Sequence, residues 1–210
     1  MKFLIADDHP IILVALTEML ATAFPDRISR IDTVSDGLGL LRRVNDTHYD
    51  YDYLTLDMEM PERPRGISLL EAVRTARPSL KIIVYTGHVS PCLALTAIDL
   101  GAVAYVSKGS GPQLAIDAIR AVLYGHTFID PSIDLDAARN HPWNHLTASE
   151  REVLLALGRG ENMQALAIDS ERSYKTVTTH KYNALRKLGL RSKAEIGVFL
   201  SRHGLDYLLD

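Results

Sequence analysis

Cysteine is almost missing from this 210-residue chain. One residue, Cys92, leaves no partner for an intrachain disulfide and excludes a zinc site built from several thiolates. Long apolar runs are missing too. No stretch approaches the eighteen or so residues that a membrane-spanning helix needs. The first residues, Met1 to Asp8, turn acidic too early for a signal peptide, so a cytoplasmic protein without a membrane partner is expected. No repeat or low-complexity tract appears. Aromatic residues make up 7%, and tryptophan occurs once, at Trp143.

What remains is ordinary in amount and uneven in arrangement. Apolar residues make up 47% and charged residues 23%, the balance of a globular protein of one or two domains. The formal net charge of −3 conceals two halves. From His145 to Gly204 there are ten Lys/Arg against six Asp/Glu, a balance of +4; the remainder, with 13 basic and 20 acidic residues, carries −7. A basic C-terminal piece on an acidic body fits a polyanion partner or a solvated surface.

The hydrophobic pattern divides the chain further. Strand-like runs at Phe3–Ala6, Ile28–Val34, Tyr53–Leu56, Lys81–Tyr85 and Ala102–Ser107 alternate with helical spacing. The helices are expected after Pro10, around Leu38–Val44, and over Ile67–Ala76, Cys92–Leu100 and Pro112–Tyr124. Five such units predict an α/β domain over residues 1–125, a doubly wound, five-stranded parallel sheet with helices on both faces. Residues 126–144 lose the pattern and read as a linker, partly helical around Ile133–Ala138. His141 and His145 flank Pro142 and Trp143, where a packing contact for the indole is expected rather than a metal. Residues 145–210 are purely helical in texture and predict a small all-α domain. Thr147 and Glu150 match a capping box, Gly158 and Gly160 end that helix, and Met163–Ile168 makes a short one. A longer helix runs from Ser173 to Leu188, closed by Gly189, and a last one covers Lys193–Arg202.

In an open α/β sheet, chemistry gathers at the carboxyl ends of the strands. Asp57 ends the Tyr53–Leu56 strand; alone, such an aspartate more often merely starts a turn. Asp7 and Asp8 end the first strand and reach the same edge. Three carboxylates in one place repel and call for a counter-charge, and Mg²⁺ suits an all-oxygen site. Thr86 and Lys108, at two further strand ends, bring a hydroxyl and an ammonium. Carboxylates, Mg²⁺, hydroxyl and lysine together are what phosphoryl transfer to the Asp57 carboxylate requires.

In the helical half, the helix from Ser173 has an apolar face of Val177, Ala184, Leu185 and Leu188. Lys175, Thr178, Thr179, Tyr182 and Arg186 share the opposite face, and no acidic residue occurs from Ser173 to Leu190. Such a helix suits the major groove of double-stranded DNA, with Lys and Arg on phosphates and Thr and Tyr at base edges. It equally suits the solvated face of a bundle.

The residues Asp7-Asp8, Asp57 with Met60-Pro61, Thr86-Gly87, Tyr105 and Ser107-Lys108 resemble the receiver domain of two-component response regulators, a flavodoxin-like fold. Residues 146 to about 200 resemble the LuxR-type helix-turn-helix of the NarL/FixJ class. The matching residues there are Leu146-Thr147, Glu150–Leu154, Gly160, Leu166-Ala167, Thr176–His180 and Lys187–Gly189. Arg172–Thr176 and Lys181-Tyr182 lean toward its RcsB-like members. The resemblance implies that Asp57 accepts a phosphoryl group from a sensor histidine kinase. It implies that Asp8 and Asp57 bind Mg²⁺ with Asp7 assisting and the Glu59 carbonyl as a further ligand, and that Thr86 and Tyr105 form a switch pair. It assigns Thr178, Thr179 and Tyr182 to the groove, Lys175 and Lys181 to the DNA backbone, and His180 to the scaffold. A homodimer is implied, and a regulator rather than an enzyme. Departures are Glu59, where small or amide residues are frequent, Met163 in place of an Asn, and a Glu62–Arg65 loop one residue longer than common.

Two rivals stay open at this level. One is a DNA-binding regulator controlled without phosphorylation, through a partner at the receiver face. The other is a small Mg²⁺-dependent phosphohydrolase with Asp57 as nucleophile, although residue 59 is Glu where such enzymes carry a second Asp.

Overall fold

A computed structural model describes residues 1–61 and 63–209; of the lengthened Glu62–Arg65 loop, Glu62 lies outside the described residues. The chain forms two compact units, Met1–Asp134 and Leu135–Asp210.

The first unit is a parallel sheet with helices between its strands. In chain order it contains β1 (Lys2–Ala6), α1 (Pro10–Ala23), β2 (Arg30–Val34), α2 (Gly37–Asn45), β3 (Tyr53–Leu56) and α3 (Gly66–Ala76). These are followed by β4 (Lys81–Thr86), α4 (Pro91–Asp99), β5 (Ala104–Ser107), α5 (Pro112–Leu123) and β6 (Phe128–Ile129). The strand order is β2-β1-β3-β4-β5-β6, the flavodoxin-like order with one strand added. The central strands are mostly apolar because helices cover both sides: every residue of β3 and β5 is buried, Thr55 and Ser107 included. Leu54 and Leu56 are fully enclosed, each worth about 1.5–3 kcal/mol of burial. On one face, Phe3 and Tyr53 stack with centroids 4.8 Å apart, within a cluster that includes Leu16, Leu20, Ile116 and Ile119.

Among the described residues the sheet has six strands where five are expected. Phe128 and Ile129 pair with Ala104 and Tyr105; two residues are too few to show any alternation, so the segment reads as linker. At the other edge β2 starts at Arg30 rather than Ile28, because the Ile28 N–H bonds to the Phe24 carbonyl and finishes the turn after α1. Arg77 holds the loop before β3. Its guanidinium donates to the carbonyls of Val44, Asp46 and Tyr49 at 2.6, 2.8 and 2.8 Å.

The second unit holds α6 (Leu135–Arg139), α7 (Ala148–Gly158), α8 (Met163–Asp169), α9 (Tyr174–Leu188) and α10 (Glu195–Arg202). The capping box forms: the Thr147 N–H donates to Glu150 Oε2 at 2.7 Å and the Glu150 N–H to Thr147 Oγ1 at 3.3 Å. Trp143 is buried beside it, as expected for a packing indole. Lys187 locks α9 to the same cap, with Nζ 2.7 Å from Glu150 Oε2 and 3.2 Å from the His145 carbonyl. Burial opposes the charge on Glu150, but the Lys187 ammonium and the Thr147 N–H hold its carboxyl below the usual range. Ser173 caps α9, and Gly189, at φ +69°, ends it in a left-handed conformation that glycine adopts without strain. The last helix begins at Glu195, two residues after the expected Lys193.

Candidate functional site

The pairing register brings the strand-end residues together. Ala6 pairs with Leu56 and Thr86 with Ser107, so Asp7, Asp57, Thr86 and Lys108 stand side by side along one edge. The Asp57 N–H donates to the Ala6 carbonyl at 2.9 Å, which carries the strand pairing up to the carboxylate itself. Asp7 and Asp57 are 2% and 1% exposed. Buried carboxylates need partners, and Lys108 supplies them: its Nζ lies 2.7 Å from Asp57 Oδ2 and 2.8 Å from Asp7 Oδ2. Burial alone would lower the pKa of this ammonium; the two carboxylates outweigh it and raise it.

Asp8 completes the acidic group. Carboxylate or ring atoms of Asp7, Asp8, His9 and Asp57 all lie within 4.8 Å of one another. Asp8 Oδ1 is buried and accepts no hydrogen bond; His9 Nδ1, 2.7 Å away, approaches it outside hydrogen-bonding geometry. The His9 backbone N–H donates to Asp7 Oδ1 at 2.9 Å. Three carboxylates in one group, one of them with an enclosed oxygen that accepts no hydrogen bond from the described residues, are what an oxygen-seeking cation fits.

Around this group sits a ring of loop contacts. Thr86 is fully buried, and its Oγ1 accepts from the His88 N–H at 3.4 Å. Tyr105 is also fully buried, its hydroxyl donating to the His88 carbonyl at 3.0 Å. The ring therefore lies in the inward position. The Glu59 N–H donates to Asp57 Oδ1 at 3.2 Å, and Glu59 Oε1 lies 3.2 Å from His88 Nε2. A side chain at Gly87 would place its Cβ 2.9 Å from Glu59 Oε2.

In the second unit, α9 buries Val177, Ala184 and Leu185, while Leu188 is only half-buried. Lys175, Thr179, Tyr182 and Arg186 are exposed on the other side, Tyr182 by 62%. The Thr179 hydroxyl donates to the Lys175 carbonyl at 2.9 Å, and Lys181 Nζ stands 4.4 Å over the Tyr182 ring. Thr178 departs from the expected face: it is half-buried, and its Oγ1 is enclosed without a hydrogen-bond partner. The preceding turn is fixed by Arg172, 2.8 Å from Glu152 on α7.

Two families match these two units. Residues 3–120 match the response regulator receiver domain, and residues 144–200 match the bacterial regulatory proteins of the luxR family. The chain belongs to the response regulators. The oxygen regulatory protein NreC of Staphylococcus carnosus is 28% identical over 209 residues, covering 93% of this chain and 94% of its own. The response regulator UvrY of Escherichia coli K12 is 31% identical over 165 residues, 73% of this chain and 74% of its own. Among solved structures, RcsB of Salmonella enterica serovar Typhimurium bound to promoter P1flhDC with a phosphomimetic is 27% identical. It aligns at a TM-score of 0.68 over 96% of this chain and 98% of its own. A structure of two RcsB dimers on two parallel DNAs aligns at 0.67 with 28% identity over the same shares.

This response regulator, with a receiver and a LuxR-type DNA-binding domain, thus brings together the residues singled out at its sheet edge: Asp7, Asp8, Asp57, Thr86, Tyr105 and Lys108. Sequence reasoning missed three others. His9 adds a ring nitrogen to the acidic group, and His88 bonds to both Thr86 and Tyr105 through its backbone. Asp130, 1% exposed, accepts the Ser107 N–H at 2.9 Å. Burial opposes its charge, yet hydrogen bonds from Ser110, Ser132 and Ser107 hold its carboxyl below the usual range. Its one sequence signal was Ile129-Asp130-Pro131, an apolar residue, Asp and Pro at the end of a strand too short to notice.

Proposed function

We propose that this response regulator accepts a phosphoryl group on Asp57 from a sensor histidine kinase and thereby regulates transcription as a dimer on double-stranded DNA. The observation that carries the reading is the Lys108 ammonium bridging Asp57 and Asp7 beside the enclosed Asp8 carboxylate. Asp8 and Asp57 would hold Mg²⁺ with Asp7 assisting and the Glu59 carbonyl as a further ligand. Bound there, the ion would neutralise charge on the phosphoryl oxygens. The Asp57 carboxylate attacks phosphorus, the P–N bond of the phosphohistidine breaks, and the imidazole leaves with the electron pair. Lys108 keeps its charge throughout and offsets the charge developing at the phosphoryl group. The Thr86 hydroxyl then turns to the phosphoryl oxygens, and with Tyr105 already packed inward the β4–α4 loop settles in one state.

On the DNA side, Lys175 and Lys181 meet phosphates, Thr179 and Tyr182 reach base edges, and Arg186 extends the basic face. Thr178 contributes through its methyl or after a rotamer change, since its hydroxyl oxygen is enclosed. The likeness to RcsB structures solved on DNA supports DNA binding by this unit. Genome-wide footprinting with and without acetyl phosphate and Mg²⁺ tests it. The expected result is protection at paired half-sites about one helical turn apart, strengthened by phosphorylation. Identical footprints in both conditions would favour control by a partner at the receiver face, and no footprint at all would remove the DNA assignment.

A further inference from the structure

Asp130 bonds at two points to the stretch that carries the switch tyrosine and the site lysine. Its backbone N–H donates to the Tyr105 carbonyl at 2.8 Å. Its Oδ2 accepts the Ser107 N–H at 2.9 Å, one residue before Lys108. The other oxygen, Oδ1, faces forward along the chain and accepts the Ser132 N–H at 2.9 Å and hydroxyl at 2.7 Å. The Asp130 carbonyl accepts the Ile133 N–H at 2.9 Å. An ionised carboxylate has about four acceptor positions, and this one divides them between the β5–α5 turn and Ser132, shortly before the boundary with the second unit at Leu135. No chemistry at Asp57 needs a buried charge there.

We infer that Asp130 is a positioning residue: it fixes the turn that presents Lys108, and through it the state of the Asp57–Lys108 pair is linked to the order of the 128–134 segment. The linkage rests on the reading of Asp57 as phosphoacceptor for its physiological input, but the clasp itself is a set of contacts independent of phosphate. Linkage is reciprocal. Whatever shifts Lys108 loosens or tightens residues 128–134, and breaking the clasp misplaces Lys108.

Amide hydrogen exchange of the full chain, with the phosphoryl label checked by mass, tests this. In the wild type, labelling with acetyl phosphate and Mg²⁺ changes exchange over 104–110 and 128–134 together. In Asp130→Asn, which keeps the shape but loses the charged acceptor, the 128–134 amides exchange roughly tenfold faster at rest, the scale of one lost charge-assisted hydrogen bond. They no longer respond to the label, whereas 104–110 still does. Ser132→Ala removes a contact on the forward side only and keeps the response. A labelled wild type whose 128–134 segment is unmoved, or an Asp130→Asn protein that keeps the full response, overturns the inference. If no label forms, Lys108→Ala replaces it as the perturbation. Faster exchange over 128–134 in that variant supports the clasp whatever becomes of Asp57, and unchanged exchange refutes it.

Discussion

Replacing Glu150 with glutamine removes one negative charge from the joint that locks α9 to α7. The carboxylate is buried, with the Lys187 ammonium and the Thr147 N–H both at 2.7 Å. Hydrogen bonds to charged groups contribute about 1.5–3 kcal/mol each. Glutamine keeps an acceptor for one of the two, so the expected loss is about 2–3 kcal/mol. In a unit of this size, each kcal/mol moves the midpoint by about 4–8 °C, and the drop should be roughly 10–20 °C. Trp143 is the sole tryptophan and sits inside the second unit, so its fluorescence reports this unfolding separately from the receiver. The pH dependence has a fixed sign. The Glu150 carboxyl is held below its ordinary value of 4.5 in the folded chain, so its contribution is complete above that pH and is lost as pH falls further. The wild type should therefore lose its advantage over Glu150→Gln on acidification below about pH 4.5. Lys187→Met should cost a similar amount, and the double variant less than the sum of the two. A loss under about 0.5 kcal/mol at neutral pH, within the range of ordinary surface substitutions, would refute the argument, as would parallel acid profiles of wild type and variant.

Lys175→Ala should weaken binding to all DNA and reduce the salt slope by about one, whereas Tyr182→Ala should relax sequence preference by about 1–3 kcal/mol at the bases it reaches. Titrations on matched and scrambled sites at several salt concentrations separate the two. Glu59→Gln removes a negative charge from the rim of the site and should quicken labelling of Asp57 by the acetyl phosphate anion about two- to fivefold, the scale of one half-exposed charge interaction; slower labelling would count against it. Gly37→Ala would bring a Cβ within 2.8 Å of the Pro64 backbone carbonyl. A loss of about 1–3 kcal/mol is expected in denaturant unfolding of the receiver, and an unchanged midpoint would show that the backbone yields there.

The alternation of apolar runs with helical spacing was enough to read the receiver, because parallel strands covered on both faces are predominantly apolar. Tyr53–Leu56 and Ala104–Ser107 carry that pattern plainly. Phe128–Ile129 does not, since two residues have no period. What makes it a strand is the open edge of β5 and the Asp130 carboxylate, neither of which is visible along the chain. The acidic site was legible because its members each end a strand, and strand ends of a parallel sheet meet. His9 and His88 lay one residue or two beyond those ends, in loops whose course the pattern does not determine. On α9, helical spacing separated Val177 from Lys175 and Tyr182 correctly. It placed Thr178 too far out, because an angular position on a wheel does not register how closely neighbouring elements pack.

The most direct test of the account is the mass of the tryptic peptide 44–65 after treatment with acetyl phosphate and Mg²⁺. The peptide contains four aspartates, Asp46, Asp50, Asp52 and Asp57; the first three lie outside the strand-end site. The account predicts one base-labile, hydroxylamine-sensitive phosphoryl group on Asp57 in the wild type, and none in Asp57→Ala or when the metal is chelated. A phosphoryl group that persists on this peptide in Asp57→Ala would contradict it.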